Sequence, residues 1–420
     1  MAPMPRTNWG GNVRFDTARI HRPRTIDELR ALVARSRQIR ALGSGHSFSA
    51  VAAPSDRDGE LVLVDGLPPV IEIDKVGGSV TVAAGVRYAE LAAALHRTGT
   101  ALANLASLPH ISVAGSCATG THGSGDGLRC LAAAVRALEL VGPDGDRVEL
   151  RRDTDADTFA GAVVALGALG IVVRLTLDVE HAYRMTQHVR LDVPLDEVSE
   201  RLDEVFGAAY SVSAFTDWAG GTASVWLKHR AGRSGTGWAG GTAAREPCHP
   251  VPGMPADLST AQLDVVGPWH ERLPHFRPEQ TPGAGEELQS EYYLPRTAAP
   301  AAFAAIRALA DRVAPVLQIG EVRTVRGDDL WLSPAYHRES VTFHFTWVPD
   351  LPAVRPVIAA VEERLVPLGA RPHWGKLTEL EPADMLAGYE RAQDFERLTH
   401  KYDPEGKFRN AYLDGLFARG

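Results

Sequence analysis

The stretch NLASLPHISVAGSCATGTHGSG, residues 104–125, constrains the fold more than any other part of the chain. Gly115, Gly120, Gly123 and Gly125 stand there among serines and threonines. A packed loop seldom needs so many small residues over such a length. Runs of this kind let backbone N–H groups come close to phosphate oxygens. A shorter segment, ALGSGHSFS (41–49), has the same texture and holds His46 between small residues. The familiar phosphate motifs nevertheless fail. Gly43-Ser44-Gly45 is followed by Phe48 at the third glycine position of a dinucleotide fingerprint, and Pro54 leaves little room for the helix that should follow. Gly115 and Gly120 have Walker spacing, but Thr121 stands where the lysine belongs. Neither segment carries a G-x-S-x-G elbow. In HERLPH (270–275) two histidines lie five apart across Pro274, so they cannot share a helical face as a zinc-binding pair. Two phosphate-friendly loops without triphosphate chemistry predict a large cofactor with a pyrophosphate, FAD first among them.

The rest of the composition bounds the function. At 420 residues the chain has room for two domains, and its cores need neither disulfides nor structural metal. A net charge of −8 argues against nucleic acid as a main partner. Cys117, Cys130 and Cys248 cannot all pair and form no C-x-x-C, so no disulfide framework or metal site is suggested and a reducing, cytoplasmic setting is expected. The N-terminus has no basic-then-apolar leader. The most apolar run, 159–173, is shorter than the roughly 20 residues that cross a bilayer.

The pattern of elements is α+β rather than a strict βαβ alternation. Thr25 with Glu28 opens a helix through a capping box. Strands are expected at 61–64, 70–73 and 79–85, a helix at 88–99, a hairpin at 135–150 and a strand from 170. Beyond residue 180 the pattern becomes a sheet with helices on it: strands at 187–194, 213–218, 224–230, 317–325 and 340–348, helices at 195–209, 301–315 and 353–367. Residues 231–260 read as a long surface loop, and 398–413 as a turn flanked by polar and aromatic residues.

At this point the residues resemble a known family. TNWGGN, LGSGHSFS, the 104–125 segment, PVPGMPA, GPWHERLPHFR, ELQSEYYLPR, EVRTV, WLSPAY, HFTWV, RPHWGK and DPEGKFRNAY together are similar to the vanillyl-alcohol-oxidase type of flavoprotein, and within it to the alditol oxidases. The resemblance implies an FAD-binding domain of residues 1–180 completed by 376–420, and a substrate (cap) domain of 181–375 with an antiparallel sheet. It also implies FAD bound covalently through His46 to the 8α position of the flavin. The matching cofactor contacts are Ala41, Leu42, Gly43, Ser44, Gly45, His46, Ser47, Ser107, Ser112, Gly115, Ser116, Cys117, Ala118, His122 and Val172. Ala106 would lie at the flavin edge, where a small side chain leaves a path for O₂.

Alternation places the reacting groups. Glu321 and Arg323 are two apart and share one strand face, as do His344 and Thr346, while Phe343, Phe345 and Trp347 take the opposite, core face. On spacing alone these are a surface ion pair and a buried histidine, and Lys376 is a solvated loop lysine. The resemblance makes Arg323 and Lys376 the groups that stabilise alkoxide, with His344 or solvent taking the proton, and gives Ser107, Glu321 and Thr346 to the hydroxyls of a polyol. The activity implied is oxidation of the primary alcohol of an alditol (xylitol, sorbitol) to an aldose, with O₂ reduced to H₂O₂, by a monomer. A sugar-1,4-lactone oxidase or dehydrogenase of the same superfamily is the alternative, and a non-catalytic flavin- or carbohydrate-binding protein the alternative of another class.

Overall fold

The computed structural model of the protein describes residues 6–17, 19–55, 58–279 and 286–417. Of the N-terminal segment 1–11, in which no leader pattern is expected, residues 1–5 lie outside them.

The first helix, Ile26–Arg35, begins where its capping residues require. Thr25 Oγ1 accepts the Glu28 N–H at 3.1 Å, and the Glu28 carboxylate accepts the N–H of Arg24 at 2.7 Å. That helix leads into a small parallel sheet whose central strand, Glu60–Leu63, lies between Ile20–His21 and Ile39–Leu42. Beside it stands a five-stranded antiparallel sheet in the order Ile71–Asp74, Ser79–Ala83, Ile171–Asp178, Val135–Val141, Arg147–Arg151. Its central strand alternates fully and half-buried residues along its length, as a strand with one covered face should. The helix Tyr88–Arg97 and the short helix Val113–Ala118 pack on this sheet and share its core with Val80, Val82, Leu138 and Leu175.

The second half is built on a nine-stranded antiparallel sheet. Its central path runs Arg184–Pro194, Thr222–Arg230, Ser211–Thr216, Leu317–Val325, Ser340–Trp347, Leu288–Pro295. One face is apolar. Val322, Phe343, Phe345 and Trp347 are fully buried there against Phe303 and Ile306 of the helix Ala299–Arg307 and Val354, Ile358 and Val361 of the helix Leu351–Leu365. The other face looks toward the first half of the chain and carries the polar residues of the site beside a small apolar patch of Val189, Phe215, Trp226 and Ile319. A sheet covered on one side by helices and polar on the other is what positions the site.

Four elements differ from expectation. The helix expected at 301–315 ends at Arg307 and resumes as the short helix Ala310–Val313. The helix expected at 195–209 breaks at Arg201 into Leu195–Glu200 and Leu202–Phe206. Both pieces bury their apolar residues in the same core, so the helical period survives the break. The segment 398–413 is more than a turn. The helix Ala392–Tyr402 ends at Asp403, whose carboxylate accepts the N–H groups of Lys407 and Phe408 at 2.8 and 2.7 Å and closes a turn through Gly406 at φ +69°. Asn410 then caps the helix Ala411–Leu416. This tail docks on the first half: Ile39 N–H donates to Lys407 O at 2.9 Å, and buried Arg40 donates to carbonyls of Val51, Leu166, Gly167 and Phe408. Finally, 231–260 is not wholly a surface loop, because His249, Pro250, Val251, Met254 and Leu258 wall the central cavity. Among the described residues no helix is long and apolar enough to cross a membrane.

Candidate active site

The His46 turn is held from two sides. From the N-terminal side, Asn8 Nδ2 donates to Ser47 O at 2.9 Å, Asn12 Nδ2 to Phe48 O at 2.8 Å, and Trp9 N–H to Gly45 O at 2.7 Å. Trp9 stacks on the His46 ring with centroids 5.3 Å apart. From the C-terminal side, Phe48 N–H donates to Gly375 O at 2.7 Å and Ser49 Oγ to Trp374 O at 2.6 Å, which brings Lys376 to the same place. Gly45 takes φ +73°, a conformation glycine adopts without strain. Burial pushes the His46 imidazole down to about 4, only partly offset by its contact with the Ser44 carbonyl, so it is neutral at neutral pH. The second glycine-rich segment is stitched to the first. Ser112 N–H donates to Ser44 Oγ at 3.0 Å, and a Cβ on Gly43 would overlap Ser112 Oγ.

These two segments form one end of a cavity of about 320 Å³. Ala41, Leu42, Gly43, Ser44, Gly45, His46 and Ser47 line it from the first segment. Ser107, Ser112, Gly115, Ser116, Ala118 and His122 line it from the second, with Ala106 beside them and Val172 from the central strand of the five-stranded sheet. Cys117 does not. Its thiol faces the Tyr88 hydroxyl at 4.0 Å inside the core, and burial pushes it up to about 12, which makes it inert. The donor set fits a flavin dinucleotide: small-residue walls for close backbone approach, a neutral imidazole, and a lysine near the same turn.

The other end is the polar face of the nine-stranded sheet. Antiparallel register aligns Phe215, Glu321, His344 and Glu291 in one cross-strand row. Ile319, Thr346 and Gln289 form the row on one side, and Ser213, Arg323, Thr342 and Tyr293 the row on the other. Glu321, Arg323, His344, Thr346 and Lys376 all line the cavity together with Ser107. The Arg323 guanidinium donates to Glu291 Oε1 at 2.5 Å and lies 3.5 Å from Glu321 Oε2. Lys376 Nζ pairs with Gln289 Oε1 and sits 5.4 Å from the centre of the Phe48 ring.

Burial dominates the electrostatics of this end. It works against both carboxylates, yet Arg323 together with His122 outweighs it at Glu291, and Arg323 with His275 at Glu321, so both acids are held well below the usual range. Burial pushes Lys376 down to about 8, with Arg323 adding repulsion and Glu291 opposing. It takes His344 to about 3 and His275 to about 4. Two carboxylates, two cations and neutral imidazoles at His344 and His275 are therefore the resting state. His344 Nδ1 has no hydrogen-bond partner among the described residues. In this setting His344 is a hydrogen-bond acceptor far more readily than a proton store.

Sequence reasoning missed Glu287, Gln289, Glu291, His275 and His373, all of which line the cavity. Gln289 and Glu291 alternate along the strand Leu288–Pro295 just as Glu321 and Arg323 do on theirs, with Glu287 one residue before that strand, so the signal was present. His275, the second histidine of HERLPH, donates from Nε2 to Glu321 Oε1 at 3.0 Å, and no local pattern marks it. Among the described residues no group of three or more His, Cys, Asp or Glu is placed to hold a metal ion.

Residues 17–151 match a family model described as an FAD binding domain, and residues 286–416 one described as D-arabinono-1,4-lactone oxidase. An alditol oxidase of Streptomyces sp. is 49% identical over 412 residues, 98% of each chain. L-gulonolactone oxidase of Mus musculus is 26% identical, covering 98% of this chain and 97% of its own, and L-gulono-1,4-lactone dehydrogenase of Mycobacterium tuberculosis is 26% identical over 97% of both. Cholesterol oxidase from B. sterolicum superimposes with a TM-score of 0.77 at 13% identity over 98% of this chain and 96% of its own, a likeness of fold.

Proposed function

The chain belongs to the alditol oxidase family of FAD-dependent oxidoreductases, and from that premise we propose that it oxidises the primary alcohol of alditols such as xylitol and sorbitol to aldoses. The balanced reaction is alditol + O₂ → aldose + H₂O₂. The observation that carries this reading is the pairing of Arg323 and Lys376 over a polar sheet face that abuts the His46 turn. We assign the FAD-binding domain to 1–180 with 376–420 and the substrate domain to 181–375, and we take the protein to be a cytoplasmic monomer.

The two glycine-rich segments would hold FAD, which would supply the two-electron acceptor for the carbinol hydride and the reductant for O₂. His46 would carry it covalently through the 8α carbon, a role suited to a buried neutral imidazole. Arg323 and Lys376 stabilise the alkoxide as the hydroxyl proton leaves, a preorganised charge in a low-dielectric site. Neutral His344 accepts the hydrogen bond of that hydroxyl and orients it, and the proton passes to solvent. Glu321 and Thr346 receive the remaining hydroxyls, with Ser107 from the glycine-rich segment. Ala106 keeps the approach of O₂ open.

A second reading has its own support. The match to D-arabinono-1,4-lactone oxidase covers 286–416, the segment that holds Arg323, His344 and Lys376. Peroxide release and anaerobic bleaching of the yellow protein separate the two. Xylitol and sorbitol should bleach the flavin and yield peroxide in air, while D-arabinono- and L-gulono-1,4-lactone should be much poorer. The reverse order would replace the alditol reading with the lactone one.

A further inference from the structure

Arg323 is shared unevenly between two buried carboxylates. One N–H of its fork donates to Glu291 at 2.5 Å, whereas Glu321 lies 3.5 Å from an Nε that has no hydrogen-bond partner among the described residues. Each carboxylate has a second tether, and the two tethers come from different parts of the chain. Glu321 Oε1 accepts from His275, whose segment also reaches Ser107 through the His275 N–H at 3.2 Å. Glu291 Oε1 pairs with His122 Nε2 at 2.9 Å, and His122 belongs to the glycine-rich segment, where its Nδ1 lies 2.7 Å from Gly123 O. The main chain of Glu291 does more: its carbonyl accepts the His373 N–H at 2.9 Å, and the His373 carbonyl accepts the Lys376 N–H at 2.9 Å. Glu291 thus registers both cations of the site, one through its side chain and one through its backbone. At 1% exposure its charge has no solvent to lean on.

We propose that Glu291, tethered by His122, is the positioning residue that fixes the Arg323 guanidinium toward the reacting alcohol, which leaves Glu321, tethered by His275, as the carboxylate that faces substrate. The inference rests on the oxidation reading above. It assigns the two acids different kinetic signatures. Misplacing Arg323 removes stabilisation made only as the alkoxide develops, so the limiting rate falls and substrate binding does not. Disturbing Glu321 removes a partner of the resting polyol, so half-saturation rises.

The test uses the holoenzyme as Glu291→Gln and Glu291→Asp, with flavin content read from the visible spectrum. Anaerobic flavin reduction is then followed over a range of xylitol and of D-arabinono-1,4-lactone. Glu291→Gln should lower the limiting rate per bound flavin about tenfold or more, less than outright loss of a transition-state donor, with half-saturation changed less than about threefold. Glu291→Asp keeps the charge and should recover part of the rate. His122→Asn should shift the rate in the same direction by less. A Glu291→Gln protein that loses only thermal stability or flavin content, with its rate per flavin unchanged, would overturn the proposal. Should that variant not fold, a Glu291→Asp protein at the full wild-type rate overturns it equally. The wild-type comparison of xylitol with lactone reports on the alditol reading; the variant-to-wild-type ratio on whichever substrate is consumed reports on this one.

Discussion

Replacing Arg323 with methionine tests the electrostatic design of the site most directly. The substitution keeps an unbranched stem and deletes a charge that stands 2.5 Å from Glu291 and 3.5 Å from Glu321, all three groups being buried. Breaking a buried ion pair by removing one partner costs about 3–5 kcal/mol, because the remaining charge is left uncompensated. Unfolding entropy of roughly 2.1 cal/mol/K per residue makes that about 3–6 °C in thermal midpoint for a chain of 420 residues. The catalytic loss should be larger in effect, about 10²–10³ in turnover per bound flavin, the usual consequence of deleting a donor aimed at developing negative charge. The stability loss has a pH signature. In the wild type both carboxylates titrate well below their unfolded values, so they contribute stability above pH ~4.3 that is lost as pH falls further. Without Arg323 both acids keep their burial but lose its opposing charge, so at least one is raised above its unfolded value and the variant gains stability as pH drops toward ~4.3. The gap between wild type and variant should therefore narrow between about pH 7 and pH 4.5. Thermal melts across that range and peroxide assays normalised to flavin absorbance supply the readings. A variant within a few-fold of wild-type turnover, or a stability gap constant with pH, would refute the reasoning.

Other outcomes follow from named contacts. His46→Ala should leave acid-precipitated protein colourless where the wild type precipitates yellow; colour retained on the variant pellet would place the covalent link elsewhere. Turnover should decline as pH rises through about 8, where the Lys376 ammonium loses its proton. Lys376→Arg should move that alkaline limb upward and Lys376→Met should be slow throughout, so a limb unchanged in the arginine variant would assign it to another group. Asn8→Ala removes a hydrogen bond at 2.9 Å to the His46 turn, worth about 0.5–1.5 kcal/mol. It should slow flavin incorporation, measured as flavin-to-protein ratio during expression, without changing turnover per flavin.

The sequence by itself settled the features whose physics is local. The Thr25–Glu28 cap needs only four residues in a row, and the structure forms it. Two-residue alternation put Glu321 with Arg323, put His344 with Thr346, and sent Phe343, Phe345 and Trp347 to the other side, because successive side chains of a strand must point to opposite faces. The glycine-rich segments announced close backbone approach, and the loops they form do meet at Ser44 and Ser112. Tertiary structure decided the rest. Sequence reading passed over Gln289 and Glu291, which alternate along Leu288–Pro295, because only strand order sets their face beside Glu321 across the His344 row. Cys117 looked like its neighbours in the segment, and the turn of a six-residue helix sent its thiol into the core. His275 reaches Glu321 from a loop 46 residues away, and Lys376 meets the His46 turn because Phe48 and Gly375 share a hydrogen bond across most of the chain. A strand's periodicity is a property of its own backbone. Which strands become neighbours, and which loops close over them, depends on burial summed over the whole molecule, and no short window of sequence carries that sum.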